Sequence, residues 1–493
     1  MLDRRAVLLG AAGCLFAARP ARAGTPDALH RLGERLRRLG GDGLDPAWYP
    51  IPPAAAAVGD AEAYREGLWR AAQLALRDLL HGRADPPPER VDVRRDRSAQ
   101  PLAPWLARLS EAEEPAAVID AAADATPGAA LLRRALAEAE GRAAQPQPPP
   151  IPPGRTIEPG SRDAERVPLL RARLAATDRS LAAARSEDPA LYDASLQAAV
   201  RRFQQAAGLE VDGRVGPATL AALNRRPQEI ALSLRVALDM ARAAAAPAEE
   251  RRIEVNIPDF MLHVREGERL LLEMPVIVGR PERATPLLVT RLTSVQFNPP
   301  WGVPLRNAIE DKLPQLQRNP LALQRQGVRI FQRVGAELVE VDPTTVDWRS
   351  YHRHRFPFVL RQDPGERNAL GRIKFNMPNS EDIFMHDTPE RHLFARGERA
   401  FSSGCIRLSE PMRFLALAME GMPGWDAERM ERSVREGRTF TVPLRRQLPV
   451  RLIYRTVVTE GGQLRVRPDI YGHDRAWWEA MVRGPARTVA ARG

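Results

Sequence analysis

Cys405 and His386 are the residues on which chemistry can be built. Residues 400–411 read AFSSGCIRLSEP, and His386 lies nineteen positions before Cys405 in IFMHDTP. A thiol attacks as its thiolate, and a nearby imidazole can take the proton. His386 closes the apolar run Ile383-Phe384-Met385, which reads as a strand with the imidazole at its end. Gly404 would let the backbone approach a substrate, and consecutive amides around it could form an oxyanion hole. Ser409 is placed to cap a helix running through Arg413 to Met419, whose positive end would favour a thiolate at Cys405. Against this stands the bland reading, since a lone cysteine is commonly buried and inert and His386 could be a satisfied core histidine. His392, in a turn-rich segment after Pro389, is an alternative base. His352 and His354 form an H-x-H pair that could touch a metal, but no third ligand is near in sequence, so neither metal nor cofactor is expected.

Cysteine usage sharpens the point. The chain has 493 residues and two cysteines, Cys14 and Cys405. Cys14 lies in MLDRRAVLLGAAGCLFAARPARA, a charged start, a short apolar run and a small-residue end, which reads as a secretory signal peptide over 1–23. Arg4-Arg5 leaves both Sec and twin-arginine export open. Cleavage would leave Cys405 as the sole thiol of an exported chain, where keeping one implies burial or a task. No later apolar run is long enough to span a bilayer.

The positioning elements follow in order. Residues 24–144 read as an α-helical scaffold, with helical spacing in PDALHRLGERLRRLG and AEAYREGLWRAAQLALRDLLHG. Residues 145–164, opening QPQPPPIPP, read as an extended proline-rich linker. Residues 165–225 form a small helical unit, and 226–249 a connecting helix. From 250 to 475 short β-rich runs dominate, with a helical insertion over about 305–350 that would act as a lid. Residues 476–493 remain as a tail. The fold class expected is therefore multidomain α+β.

Net charge is +11, falling to +8 without residues 1–23. The basic residues are almost all Arg, only Lys312 and Lys374 being Lys, and they are interleaved with Asp and Glu. No basic block with aromatics appears, which argues against nucleic acid.

Two resemblances follow from longer stretches. YDASLQAAVRRFQQAAGLEVDGRVGPATLAALN, through Phe203, Gln204, Gly208, Asp212, Gly213, Thr219 and Asn224, resembles the peptidoglycan-binding type 1 domain, a three-helix module. FNPPWGVP, PGERNALGRIKFNMPNSEDIFMHDTPERHLF and AFSSGCIRLSEP resemble the YkuD-type L,D-transpeptidase, YcbB-like subgroup. That resemblance implies Cys405 as nucleophile, His386 as its base, the backbone carbonyl of Asp387 orienting the imidazole, and Gly404 in the oxyanion region. It implies Arg407, Ser402, Ser403, Trp301 and Phe384 along the substrate groove, with a structural ion pair as the alternative for Arg407. Ser403 stands where many of the wider family have histidine, and Phe384 where close relatives have tyrosine. The implied function is 3→3 cross-linking of peptidoglycan stem peptides through a thioester, in the periplasm, in cell-wall biogenesis and cell shape, with carbapenems as inhibitors. An L,D-carboxypeptidase, a lipoprotein-anchoring transpeptidase and a non-catalytic wall-binding scaffold are the alternatives.

Overall fold

The computed structural model describes residues 25–184, 186–245 and 250–485. The expected signal peptide and Cys14 lie outside the described residues. The chain divides into two compact units, one of them formed mainly by residues 250–454 and the other by the helical segments together with residues 455–485.

The first is built on a sheet. Its strands are β1 (Arg251–Asn256), β2 (Met261–Glu266), β3 (Arg269–Gly279), β4 (Leu288–Phe297), β5 (Trp301–Gly302), β6 (Val328–Val334), β7 (Glu337–Glu340), β8 (Phe358–Gln362), β9 (Ile373–Asn376), β10 (Met385–His386), β11 (Ala400–Ser402), β12 (Ile406–Leu408) and β13 (Phe440–Ile453). Strand order is β11-β3-β12-β10-β9-β4-β13-β1-β2, and β2 also pairs with β3. That last pairing closes β3 through β2 into a ring of eight strands, which removes the open edges a flat sheet would expose. The interior is filled by alternate apolar residues such as Val255, Leu262, Val276, Val295, Phe375, Met385, Ile406 and Val450, each at most 0% exposed. Phe414, on the helix Pro411–Ala418, packs edge-on against Phe375 with ring centroids 4.8 Å apart.

The insertion differs from expectation. Instead of a helical segment over 305–350, residues 301–362 form an antiparallel sheet in the order β5-β8-β6-β7, with short helical turns and their own core. Leu316, Ile330, Trp348 and Leu360 are buried there. VRIFQRV needed a partner to declare itself a strand. That partner, β8, lies beyond the expected boundary.

In the other unit, the helices Pro26–Arg37, Ala61–His81, Pro115–Asp124, Pro227–Ala241 and His473–Arg483 bury Leu32, Leu36, Leu68, Leu76, Val236 and Trp477. Trp477 is fully buried and its indole Nε1 donates to Asp239 Oδ2 at 2.9 Å. The stretch 455–485 therefore joins this unit, where the sequence had placed 250–475 with the β-rich domain and the rest in a tail. A hairpin of β14 (Val457–Glu460) and β15 (Gln463–Val466) belongs to the same stretch.

The segment resembling the peptidoglycan-binding module holds four helices rather than three: Arg166–Ala175, the short Arg179–Ala183, Ala194–Ala207 and Pro217–Asn224. Gln204 ties its turn: Nε2 donates to Asp212 Oδ1 at 2.8 Å, and Oε1 accepts from the Gly213 amide at 2.8 Å. The proline-rich stretch is pinned rather than free. Ile151 and Ile157 are each 1% exposed in the module's core. Asn224 accepts from the Ile151 amide and donates to its carbonyl, both at 2.8 Å. Among the described residues no helix is long and apolar enough to cross a membrane.

Candidate active site

Adjacent strands bring the two candidate residues together. β10 runs parallel to β12 with Met385 opposite Ile406 and His386 opposite Arg407, and it runs antiparallel to β9 with His386 opposite Lys374. Residues directly opposite in paired strands share a face. Phe375, Met385 and Ile406 therefore point into the core, while Lys374, His386 and Arg407 form a row on the outer face. Cys405 precedes Ile406, whose amide donates to the Phe384 carbonyl at 3.1 Å, so the thiol lies beside the Phe384–His386 end of β10. The Phe384 ring lies 5.6 Å from the imidazole and 4.0 Å from Lys374 Nζ.

His386 is 4% exposed, and its Nδ1 donates to the backbone carbonyl of Asp387 at 2.5 Å. That bond places the proton on Nδ1 and leaves Nε2 as the acceptor. The Asp387 carboxylate is held in turn by the amides of Arg372, at 2.9 Å, and Thr388, at 2.6 Å, and by Arg391. Gly371 makes room for it: φ is +59°, and a Cβ there would lie 2.4 Å from the Asp387 carboxylate. Gly371→Ala should therefore cost about 2 kcal/mol in backbone strain and contact, read as a lower denaturation midpoint. Because Asp387 must shift to admit the methyl, Cys405 reactivity should fall with it.

Burial pushes the Cys405 thiol up from its ordinary value, against the opposing pull of the Phe384 amide, Lys374 and Arg407. Burial, with Arg407 and Lys374 both cationic, pushes His386 down to about 3. The resting pair is accordingly a neutral thiol beside a neutral imidazole. The thiol points toward the Asp382 carbonyl, 4.0 Å from Sγ.

The turn before the thiol is rigidly cross-braced. Ser402 Oγ accepts from the Gly404 amide at 3.1 Å and donates to the Cys405 carbonyl at 2.6 Å. Gly404 has φ +116°, and a Cβ there would meet Ile383 at 3.0 Å, so glycine is required.

Comparison with known proteins meets this geometry. Residues 250–437 match the YkuD family, described as the L,D-transpeptidase catalytic domain. This segment is similar to the YkuD domains of that family. Residues 163–223 match the family described as "Putative peptidoglycan binding domain". A Haemophilus influenzae protein named "Putative L,D-transpeptidase" is 37% identical over 249 residues, covering 50% of this chain and 50% of that protein. The chain thus spans about half the length of this curated relative. A solved L,D-transpeptidase from Mycobacterium smegmatis aligns at 14% identity over 41% of this chain and 58% of the other. One from Xylanimonas cellulosilytica aligns at 16% over 61% and 98%. Both have a TM-score of 0.20, too low to carry a structural argument.

Several expectations for this segment change. Ser409 caps nothing: the helix starts at Pro411 with Glu410 before it and no side-chain cap, and Ser409 Oγ is buried without a hydrogen-bond partner. β12 separates that helix from Cys405 by three extended residues, roughly 10 Å of chain. A helix dipole acts within about one turn of its end, so it contributes little at the thiol. The Gly404 amide, expected in the oxyanion region, donates to Ser402 Oγ. Arg407 lies opposite His386 in the strand pair and its guanidinium pairs with Glu390, the ion pair given as its alternative. Trp301 lies in the inserted sheet, with Lys312 Nζ 5.9 Å from its ring. His352 and His354 have ring centroids 6.3 Å apart, and no group of three metal-ligating side chains occurs among the described residues.

Lys374 was passed over in the sequence. The signal for it was compositional: two lysines stand among 73 Lys and Arg, and one of them is opposite the candidate base. The Lys374 ammonium lies over the Phe384 ring, 4.0 Å from the centroid.

Proposed function

We propose that the YkuD domain forms 3→3 peptide cross-links through a thioester on Cys405. The observation that carries this reading is the Nδ1–Asp387 bond, which frees Nε2 of an uncharged imidazole beside the lone described thiol. Sγ attacks the carbonyl between the third residue of a donor stem tetrapeptide and its terminal D-alanine, and the thiol proton passes to His386 Nε2. The Cys405 amide donates to the developing oxyanion. The carbon–nitrogen bond breaks, His386 protonates the departing D-alanine amine, and a thioester remains. The side-chain amine of a second stem's third residue then attacks. His386 takes its proton, the carbon–sulfur bond breaks, and the proton returns to the thiolate. Arg407, Ser402, Ser403, Phe384 and Trp301 are placed along the groove in this reading. The inserted subdomain covers it and excludes water, which favours amine over hydrolysis.

Purified tetrapeptide stems incubated with the protein should yield cross-linked dimers. Tripeptide alone would assign the domain to trimming, and transfer only to a protein lysine would assign it to anchoring. The expected leader and the 163–223 match support export and a periplasmic, wall-associated location in this reading. Deleting residues 145–225 should reduce sedimentation with isolated sacculi by about tenfold while leaving Cys405 acylation intact; undiminished binding would remove the module from the reading.

The neutral resting pair sets the pH behaviour. His386 stays uncharged down to about pH 3, so the ordinary histidine step near pH 6.5 should be absent. Iodoacetamide alkylation of free Cys405 should climb with pH beyond the usual thiol range, followed by intact mass. A plateau beginning near pH 6 would instead mark a thiolate–imidazolium pair.

A further inference from the structure

The geometry points to Arg283 as a positioning residue that latches the inserted subdomain to the nucleophile turn. The inference rests on the reading of Cys405 as nucleophile for its catalytic meaning. Arg283 ends a short turn after β3, and its side chain is 4% exposed. Its Nη1 donates to Ser403 Oγ at 2.9 Å, to Asp311 Oδ2 at 2.6 Å and to Asn307 Oδ1 at 3.1 Å. Its Nη2 donates to Glu310 Oε2 at 2.6 Å and to Asp311 Oδ1 at 2.9 Å. One buried guanidinium thus holds two carboxylates of the insertion and a hydroxyl two residues before Cys405.

The two ends of this contact are unlike ordinary surface pairs. Glu310 and Asp311 lie on a π-helical turn, Ala308–Lys312, a wide form of helix that recurs at functional positions. The Asp311 contact is a two-point fork, which a lysine cannot reproduce. The segment bearing Arg283 also braces the nucleophile turn by other groups. Arg280 donates its amide to the Ser402 carbonyl at 3.0 Å, and Thr285 Oγ1 donates to the Gly404 carbonyl at 2.8 Å. Arg283 therefore links the seating of the insertion to Ser403 in the nucleophile turn, and Arg280, with Asp311 Oδ1 at 3.3 Å, adds a second, longer link. When the carboxylates disengage, the guanidinium loses its anchor and Ser403 loses its fixed partner.

The test compares wild type with the Glu310→Gln/Asp311→Asn double variant by hydrogen exchange. Both 305–318 and 400–408 should exchange about tenfold faster, and meropenem should acylate Cys405 about tenfold more slowly, with the global melting temperature nearly unchanged. Arg283→Lys, which keeps the charge without the fork, should give the same two-segment change to a smaller degree. Arg306→Gln breaks the exposed Arg306–Glu310 pair, 3.1 Å, and the bond from Arg306 to the Glu282 carbonyl, 3.3 Å, without touching Arg283, and should leave both segments protected. Loosening of 305–318 with 400–408 unchanged overturns the latch, as does no change in either or an unaltered acylation rate beside normal wild-type acylation. If wild type itself takes up no meropenem, the proposed function falls, while the paired exchange response still decides the latch.

Discussion

Cys405→Ala protein incubated with meropenem should carry no covalent adduct, whereas the wild type gains one acyl group on the peptide containing Cys405. Cross-linking of tetrapeptide stems should fall by roughly 10⁴-fold or more, because no other thiol stands among the described residues and the remaining site only binds. The fold should survive the change. Cys405 is partly exposed, and Ser402 and Gly404 shape the turn through their own hydrogen bonds, which do not involve the thiol. An adduct of unchanged mass on the alanine variant would place the nucleophile elsewhere and end the assignment. Cys405→Ser keeps the size but not the ionisable sulfur, and should be nearly as inactive toward the carbapenem.

His386→Gln should slow acylation by about 10²–10⁴-fold at neutral pH, the usual worth of a positioned proton acceptor. The loss should shrink as pH rises, because solvent then ionises the thiol that the imidazole no longer deprotonates. The sign follows from the resting state: burial and two flanking cations keep the imidazole neutral and burial keeps the thiol protonated. Removal of the base therefore removes the uncharged imidazole that takes the proton in this reading. A variant retaining wild-type acylation near pH 7 would make His386 a core residue and bring His392 back into consideration. His392 lies on the turn Arg391–Ala395, outside the strand row that aligns Lys374, His386 and Arg407.

The candidate site was legible where a short motif carries its own geometry. IFMH reads as a strand ending in histidine, of which Met385–His386 is the strand, and SSGC as a backbone made open by its glycine before the thiol, where the structure finds Gly404 at φ +116°. What stayed hidden depended on partners distant in sequence. Arg283 is one arginine among many, and nothing local marks it as the one whose guanidinium spans Ser403 and Asp311. VRIFQRV reads as a strand only when β8 supplies the other half of its ladder. Ser409 misled because the cap rule places Ser before a helix start, but Pro411 sets that start one residue later and leaves Glu410 at the cap. The proline-rich stretch looked like a spacer by composition. Its two isoleucines carry the information that it is bound, since apolar side chains in a linker seek a core.

The burial of Trp477 imposes an order of assembly. The indole closes the helical core against Asp239, 238 residues earlier, with the whole β-rich unit threaded between them. A growing or emerging chain thus makes the first helices of that core long before it makes their last partner. The β-rich unit can complete its ring of strands while the helices around Leu68 and Leu76 still wait with apolar surface open. Any shortened form that stops before residue 477 would keep that surface open permanently, however intact its thiol.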